Sequence, residues 1–433
     1  MIWITSVIFT LTYLGLAIGR VPGLRMDRAA IAFVGATLML VAGVLTIPQA
    51  VSPESIDYET LFLLFGMMAV VGCLRISGVL ARLTNWSLGR IRTPRAMLAM
   101  TILLAGVLSA FLVNDIVCLA ITPLVIHLAR RLRFDPLPHL IGVATAANIG
   151  SAGTITGNPQ NMIIGIQSRI PYLRFAAHLL PLAAIGLVVD FLIVAWVYRD
   201  PLAAVPNDDA RVIDGDASPN DRAPNAASSS GRPNLSRQRK SVVWLQRKSV
   251  VVTLASVAMF FAGFQIALVA IAAAAVLLID PIKSKRIYDQ IDWSLLLMFI
   301  GLFIVVHAFG DRVVATWGIG QWRQLLAHPV GELSVAAAVL SNLVSNVPAV
   351  LLFEPIMRAV PDAARQNAWL ALAMSSTFAG NLTVLGSVAN LIVIENARRE
   401  GVAISFTEYC KVGIPVTIAT LTLGIAWVEF MTS

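Results

Sequence analysis

The sequence predicts an all-α polytopic membrane protein: two inverted repeats, about ten transmembrane helices plus two re-entrant hairpins, and helices broken near the midplane. Composition is one ground for this. The chain is 58% apolar and 13% charged, with a mean hydropathy of +0.80; soluble domains are roughly 45–50% apolar and about a quarter charged. Repetition is the other. Asp57 precedes Gly66 by nine residues, as Asp292 precedes Gly301. Asn114 lies nine residues before Pro123, as Asn346 lies before Pro355. The strings Thr154-Ile155-Thr156-Gly157-Asn158-Pro159-Gln160-Asn161 and Thr383-Val384-Leu385-Gly386-Ser387-Val388-Ala389-Asn390 carry Thr, Gly and Asn in register. Landmarks repeated in one order mean a duplicated unit. Duplicated apolar units interrupted by Gly, Pro and Asn are the sequence mark of a secondary transporter.

The first apolar run, about residues 2–19, has no positive stretch before its core and no clear small-residue cleavage site. It reads as a retained helix, not a secretion signal. Arg20, Arg25 and Arg28 follow it and place that loop inside. A second helix, about 29–47, leads to the acidic Glu54, Asp57 and Glu59, which face outward. A third, about 60–80, returns to Arg82, Arg90, Arg92 and Arg95. Residues 96–129 are apolar but broken at Asn114-Asp115, with basic residues at both ends (Arg92 and Arg95, then Arg130, Arg131 and Arg133). A single span would put one basic flank outside. A hairpin that enters and leaves on the cytoplasmic face satisfies both flanks, with its tip inside the bundle. Residues 140–168 then cross outward as a broken span, because Asn148-Ile149-Gly150-Ser151-Ala152-Gly153 and Gly157-Asn158-Pro159 cannot sustain a continuous helix. A helix over about 179–198 completes repeat one, residues 1–198.

Residues 199–248 are rich in Asp, Arg, Asn, Ser and Pro and read as a disordered cytoplasmic linker. Repeat two, residues 249–433, is inverted. Helices over about 250–263 and 266–281 lead to Lys283, Lys285 and Arg286, and a span from Asp292 to about Ala308 follows. Residues 330–357, broken at Ser345-Asn346-Val347-Pro348, form an external hairpin with thinner basic flanks (Arg323, Arg358, Arg365). Residues 368–396 are broken at Gly380-Asn381 and Gly386-Ser387 and end at Arg398 and Arg399; a last helix covers about 412–430. The expected setting is the bilayer of the cell inner (cytoplasmic) membrane, multi-pass, with both termini periplasmic.

Other functions are disfavoured. The net charge of +8 and pI near 9.8 come from basic residues clustered in loops between apolar spans, so no nucleic-acid partner is expected. Cys73, Cys118 and Cys410 are scattered and form no CxxC, hence neither a disulfide framework nor a metal site. No HExxH and no nucleophile–base pair is evident, so there are no catalytic residues and no enzyme. An ion channel needs a continuous pore, against which the inverted repeat argues.

Where a helix is interrupted at mid-membrane, free N–H groups favour anions and free carbonyls favour cations. Two interruptions per half, joined by pseudo-symmetry, make a midplane site. The substrate- or ion-binding candidates there are Asn114, Asp115, Asn148, Ser151, Thr154, Asn158, Asn161, Ser345, Asn346, Asn381, Thr383, Ser387 and Asn390. Their neutral oxygens suit Na⁺; their N–H and O–H donors suit an oxyanion or a neutral polar hydroxide. No cofactor is expected beyond Na⁺ or H⁺ as coupling ion. Asp115 has no acidic counterpart in repeat two, where Val347 stands. An intramembrane carboxylate is expensive, which marks Asp115 as carrier of the coupling proton or ligand of a cation. Gly66 and Gly301 read as close-packing sites, Asp57 and Asp292 as helix starts, and Glu354 and Glu395 as interfacial. Asp190 is a buried acid without an assigned role.

The motifs Asn114-Asp115 through Thr122-Pro123, Gly157-Asn158-Pro159-Gln160-Asn161, Asp292-Trp293 and Ser345-Asn346-Val347-Pro348 together resemble the ion transporter superfamily. The chain is most similar to the branch that holds bacterial arsenite permeases, D-type sodium/proton antiporters and citrate-transporter-like anion permeases. That resemblance implies a scaffold and a mobile transport domain, elevator-type movement and often a homodimer. It implies a small anion or oxyacid as substrate, arsenite or antimonite efflux foremost. The paired Ser-Asn-Thr signature of the sodium/dicarboxylate branch is absent: the two tips read Val113-Asn114-Asp115 and Ser345-Asn346-Val347.

Overall fold

The structure is a computed structural model that describes residues 1–18, 26–88, 91–203, 235–279, 284–314, 316, 330–357 and 360–431. Arg20, Arg25, Arg90, Lys283, Arg323 and Arg358, and residues 204–234 of the expected linker, lie outside the described residues.

Among the described residues the chain is α-helical, without strands. The first half runs α1 (Ile2–Ile18), α2 (Arg28–Val41), the short α3 (Ile47–Ala50), α4 (Tyr58–Ile76), α5 (Val79–Leu88), α6 (Pro94–Phe111), α7 (Asn114–Arg131), α8 (Pro136–Ser151), α9 (Pro159–Ser168), α10 (Tyr172–Val197) and α11 (Arg199–Ala203). The second runs α12 (Leu235–Phe261), α13 (Ile266–Leu278), α14 (Lys285–Tyr288), α15 (Trp293–Phe309), α16 (Gly331–Val344), α17 (Asn346–Met357), α18 (Asp362–Phe378), α19 (Val388–Arg399) and α20 (Phe406–Phe430).

Among the described residues six helices are long and apolar enough to cross a membrane: Tyr58–Ile76, Pro94–Phe111, Tyr172–Val197, Val243–Phe261, Trp293–Val314 and Phe406–Phe430. One of these, α6, is a hairpin arm, since the chain turns at Leu112 and α7 packs back along it. The crossings are α1, α2, α4, the broken pair α8/α9 and α10, then α12, α13, α15, the broken pair α18/α19 and α20. That gives the expected ten, with α6–α7 and α16–α17 as the two hairpins.

Local chemistry explains where these elements start. Asp57 and Asp292 cap α4 and α15 by accepting from the Thr60 N–H at 3.0 Å and the Leu295 N–H at 2.9 Å. Thr93, Asp135 and Asn158 cap α6, α8 and α9, each followed by Pro at the first helical position, where the missing N–H costs nothing. The second arm of each hairpin keeps an internal Pro, Pro123 and Pro355.

The two halves interlock crosswise. Gly66 on α4 meets Ala270 on α13, where a Cβ would lie 2.5 Å from the Ala270 carbonyl carbon. Gly301 on α15 meets Ala32 on α2, where a Cβ would lie 2.6 Å from the Ala32 carbonyl carbon. The third span of each repeat therefore packs, backbone to backbone, on the second span of the other. This is the close-packing role expected of the two glycines.

Several boundaries differ from expectation. The expected linker 199–248 is helical at both ends: α11 begins at Arg199, and α12 begins at Leu235, not near 250. Its Arg-, Lys-, Gln- and Leu-rich end has high helix propensity and extends the span. The break of the first broken span is 152–158; Asn148 and Gly150 still lie within α8. Hairpin one turns at Leu112-Val113 and hairpin two at Ser345 alone, so Asn114 and Asn346 each open the second arm.

Candidate functional site

The breaks are held by side chains that stand in for the missing helical hydrogen bonds. In the first, Asn161 Nδ2 donates to the carbonyls of Ser151 (3.1 Å), Ala152 (3.3 Å) and Thr154 (2.9 Å). In the second, Asn390 Nδ2 donates to the carbonyls of Gly380 (2.7 Å) and Thr383 (3.1 Å). The same device serves both repeats. Each Asn turns its oxygen to the other half: Asn390 Oδ1 accepts from Asn148 Nδ2 at 2.9 Å, and Asn161 Oδ1 accepts from the Thr377 hydroxyl at 3.5 Å. The caps of the second half-helices cross over too. Asn158 Nδ2 donates to Thr377 Oγ1 at 3.3 Å, and the Ser387 hydroxyl donates to Asn148 Oδ1 at 2.9 Å.

The hairpin tips join this network. Asn114 Nδ2 donates to Asn148 Oδ1 at 3.3 Å, and its backbone N–H donates to the Gly157 carbonyl at 3.0 Å. In the amide orientation that satisfies both of its ends, Asn346 donates to the carbonyls of Ser376 (3.2 Å) and Gly386 (3.1 Å) and accepts from Gln160 Nε2 at 3.3 Å. Asn381 takes a second bond from Asn148 Nδ2, at 2.8 Å.

In front of the network lies a cavity of about 560 Å³. Five of the expected site residues line it: Asn114, Asp115, Ser345, Asn346 and Ser387. The other eight do not. Asn148, Ser151, Asn158, Asn161, Asn381 and Asn390 are buried in the wall behind it, making the bonds just described. Thr383 reaches the cavity-lining Asn342 at 3.5 Å. Thr154 faces away, its hydroxyl on the Ala110 carbonyl and 3.4 Å from Thr156. The expectation that thirteen polar groups present themselves to a ligand is thereby divided. A helix break at mid-membrane consumes most nearby amides in satisfying its own carbonyls, because no water is there to do so.

The cavity also holds groups that sequence reasoning placed elsewhere. Arg28, read as a topology signal, lines it and donates to the Ser345 hydroxyl at 3.4 Å. Asp27 and Asp292, caps of α2 and α15, lie at the same mouth, and Gln160 follows the Pro of the first break. Asp292 could have been suspected, since it is the repeat partner of Asp57; Arg28 carried no such signal. Ser345 has φ +79° and ψ 159°, a region essentially reserved for Gly. The strain sits at the hairpin tip, against the cavity.

A second cavity of about 790 Å³ lies at the starts of α4 and α13, lined by Glu54, Asp57, Glu59, Arg169 and Glu354 among others. Asp57 there is the counterpart of Asp292 in the first, so the two cavities sit at matched positions of the two repeats. Neither tip Asn lines the second cavity. Of the remaining acids, Glu395 is half-buried and paired with Arg398 and Arg399 at 3.0 and 3.1 Å, away from the site.

The family model described as citrate transporter matches residues 13–375 and 311–431. A silicon efflux transporter, LSI3, of Oryza sativa subsp. japonica is 32% identical over 97% of this chain and 96% of its own. A Dictyostelium discoideum protein named as a transporter, arsB, is 25% identical over 98% of this chain and 90% of its own. Among solved structures, the YdaH transporter of Alcanivorax borkumensis, described as having an unusual topology, superposes with a TM-score of 0.54 at 14% identity, over 99% of this chain and 96% of that one. At that identity the likeness concerns the fold.

Proposed function

The chain belongs to the citrate transporter family of membrane transporters, and we propose that it is a secondary active transporter of a small neutral oxyacid, arsenous or antimonous acid foremost, coupled to protons. One observation carries this reading. Asn114 and Asn346, at hairpin tips of opposite repeats, line one cavity with Asp115, the tip acid that only repeat one has.

The charge of the cavity favours an uncharged substrate. Among its described lining residues are three carboxylates, Asp27, Asp115 and Asp292, against one guanidinium, Arg28. A polycarboxylate would meet like charge there, and like charges in a low-dielectric site repel strongly. A neutral hydroxide needs hydroxyl partners only, and Asn114, Asn346, Gln160, Ser345 and Ser387 supply both donors and acceptors. The relative named for silicon efflux agrees with such a substrate, since dissolved silicon is a neutral polyhydroxide near neutral pH.

In the mechanism we infer, the substrate enters the 560 Å³ cavity and hydrogen-bonds to the tip amides. Asp115 exchanges a proton as the site turns to the other face, where the second cavity receives it. On the topology read from the basic loops, the first cavity opens inward. The hairpins, α8/α9 and α18/α19 move together because their side chains bond one another across the repeats. The crossed pairs α4–α13 and α15–α2 form the frame. Uptake of arsenite, antimonite, silicic acid and citrate into proteoliposomes, with pH and Na⁺ gradients imposed separately, tests the reading. Neutral oxyacids accumulating with the pH gradient support it. Citrate accumulating with Na⁺ would replace it with a sodium-coupled symporter.

A further inference from the structure

We propose that Asp190, on α10 behind the broken helix, is a second proton-binding site, occupied in this state and emptied during the transport cycle. The proposal rests on the proton-coupled reading for its second half only.

Asp190 is fully buried. Its Oδ2 lies 3.0 Å from the Thr145 hydroxyl, and its Oδ1 has no hydrogen-bond partner among the described residues. The same Thr145 hydroxyl lies 2.9 Å from the Ile141 carbonyl. A hydroxyl has one proton to give. Were Asp190 ionised, Thr145 could donate to the carboxylate or to the carbonyl but not both, and Oδ1 would remain a bare anionic oxygen at membrane depth. With Asp190 protonated the arithmetic closes. The carboxyl O–H donates to Thr145 Oγ1, Thr145 donates to the Ile141 carbonyl, and what is left unpaired is a neutral carbonyl oxygen.

Among the described residues, the surroundings of Asp190 supply no counter-charge. From α20, Tyr409 is the electrostatic neighbour of Asp190, its hydroxyl unpartnered, with Cys118 of α7 beyond it. From α8 the neighbouring polar groups are Thr145 and, nearer the helix start, His139, whose ring nitrogens are buried without partners. α6 meets α10 through Gly106 against Leu187, and α12 through Phe260 against Tyr172 at a ring separation of 5.4 Å. The charged Lys411 and Glu408 lie in the first turns of α20, paired with each other at 2.6 Å. Arg174 on α10 meets Gln366 of α18 at the far end of the helix.

The site is wired to the cavity. The Thr145 carbonyl accepts from Asn381 Nδ2 at 3.2 Å, Asn381 Oδ1 accepts from Asn148 Nδ2 at 2.8 Å, and Asn148 Oδ1 accepts from the tip residue Asn114 and from Ser387, the cap of α19. A change at Asp190 that moves Thr145 thus moves the groups that hold the Asn114 tip and the cap of α19. The proton leaves as the carboxyl O–H bond breaks, passing to water when α8 and α10 part.

Infrared difference spectroscopy of the full chain, with proton and substrate counting in proteoliposomes, decides this. Wild type and Asp115→Asn should show a protonated-carboxyl band that Asp190→Asn removes. Asn at 190 keeps a donor toward Thr145, so the fold should hold; Thr145→Val should shift the band without abolishing it. Substrate should bleach the band in wild type, and Asp190→Asn should carry one proton fewer per substrate. A missing band, or a band unaffected by Asp190→Asn, overturns the proposal. So does a band that stays constant through turnover with an unchanged proton ratio. A wild type that moves substrate without protons fails the proton-coupled reading and takes only the release step with it.

Discussion

Asn148 Nδ2 lies 2.9 Å from Asn390 Oδ1, joining the end of the first half-helix in one repeat to the second half-helix in the other. The matching bond runs from Thr377 to Asn161 at 3.5 Å. Two interrupted helices thus complete each other.

Asn148→Ala should therefore destabilise the protein out of proportion to the side chain lost. It strands groups on Asn390, Asn381, Asn114 and Ser387 at once, at about 1–3 kcal/mol for each buried group left unpaired. Thermal melting in detergent should show a large drop for Asn148→Ala and a smaller one for Thr377→Val. Equal small drops would mean that water replaces the lost amide.

Gly66→Val and Gly301→Val should be alike in effect. Each places side-chain carbon where the partner backbone stands, 2.5 or 2.6 Å from a Cβ, and overpacking of this kind costs about 1–3 kcal/mol or more. Folded yield after extraction checks it; a large loss in one variant alone would argue against crossed equivalence.

Ser345→Gly should raise the melting temperature, because relief of a backbone held at φ +79° is worth about 1–3 kcal/mol. Turnover should fall if the strained tip is poised to move. Lower stability would show that the Arg28 contact outweighs the strain.

Arg28→Gln should raise the KM for substrate about tenfold, the scale of one charge-assisted hydrogen bond, with Arg28→Lys intermediate. Unchanged kinetics would remove Arg28 from the site.

Much of this architecture was legible because membrane folding writes it plainly. Apolar length marks spans, Gly and Pro mark breaks, and the repeats mark symmetry. Asp57, Asp292, Gly66 and Gly301 do what their matched spacing implied. What stayed hidden is set by three-dimensional satisfaction. Nothing in the spacing distinguishes Asn161, consumed by three carbonyls, from Asn114, which faces the cavity. Arg28 was absorbed by the charge pattern of its loop, and only the folded chain brings it beside Ser345 of the other repeat. The strain at Ser345 leaves no trace in composition.

We propose Asp115 as the residue that couples substrate movement to protons. Radiotracer accumulation against a gradient, driven by an imposed pH difference, tests it in Asp115→Asn proteoliposomes. Uphill transport should be abolished, while exchange without a gradient survives in part on the remaining tip amides. Full pH-driven accumulation by Asp115→Asn would contradict it and make Asp115 a structural residue.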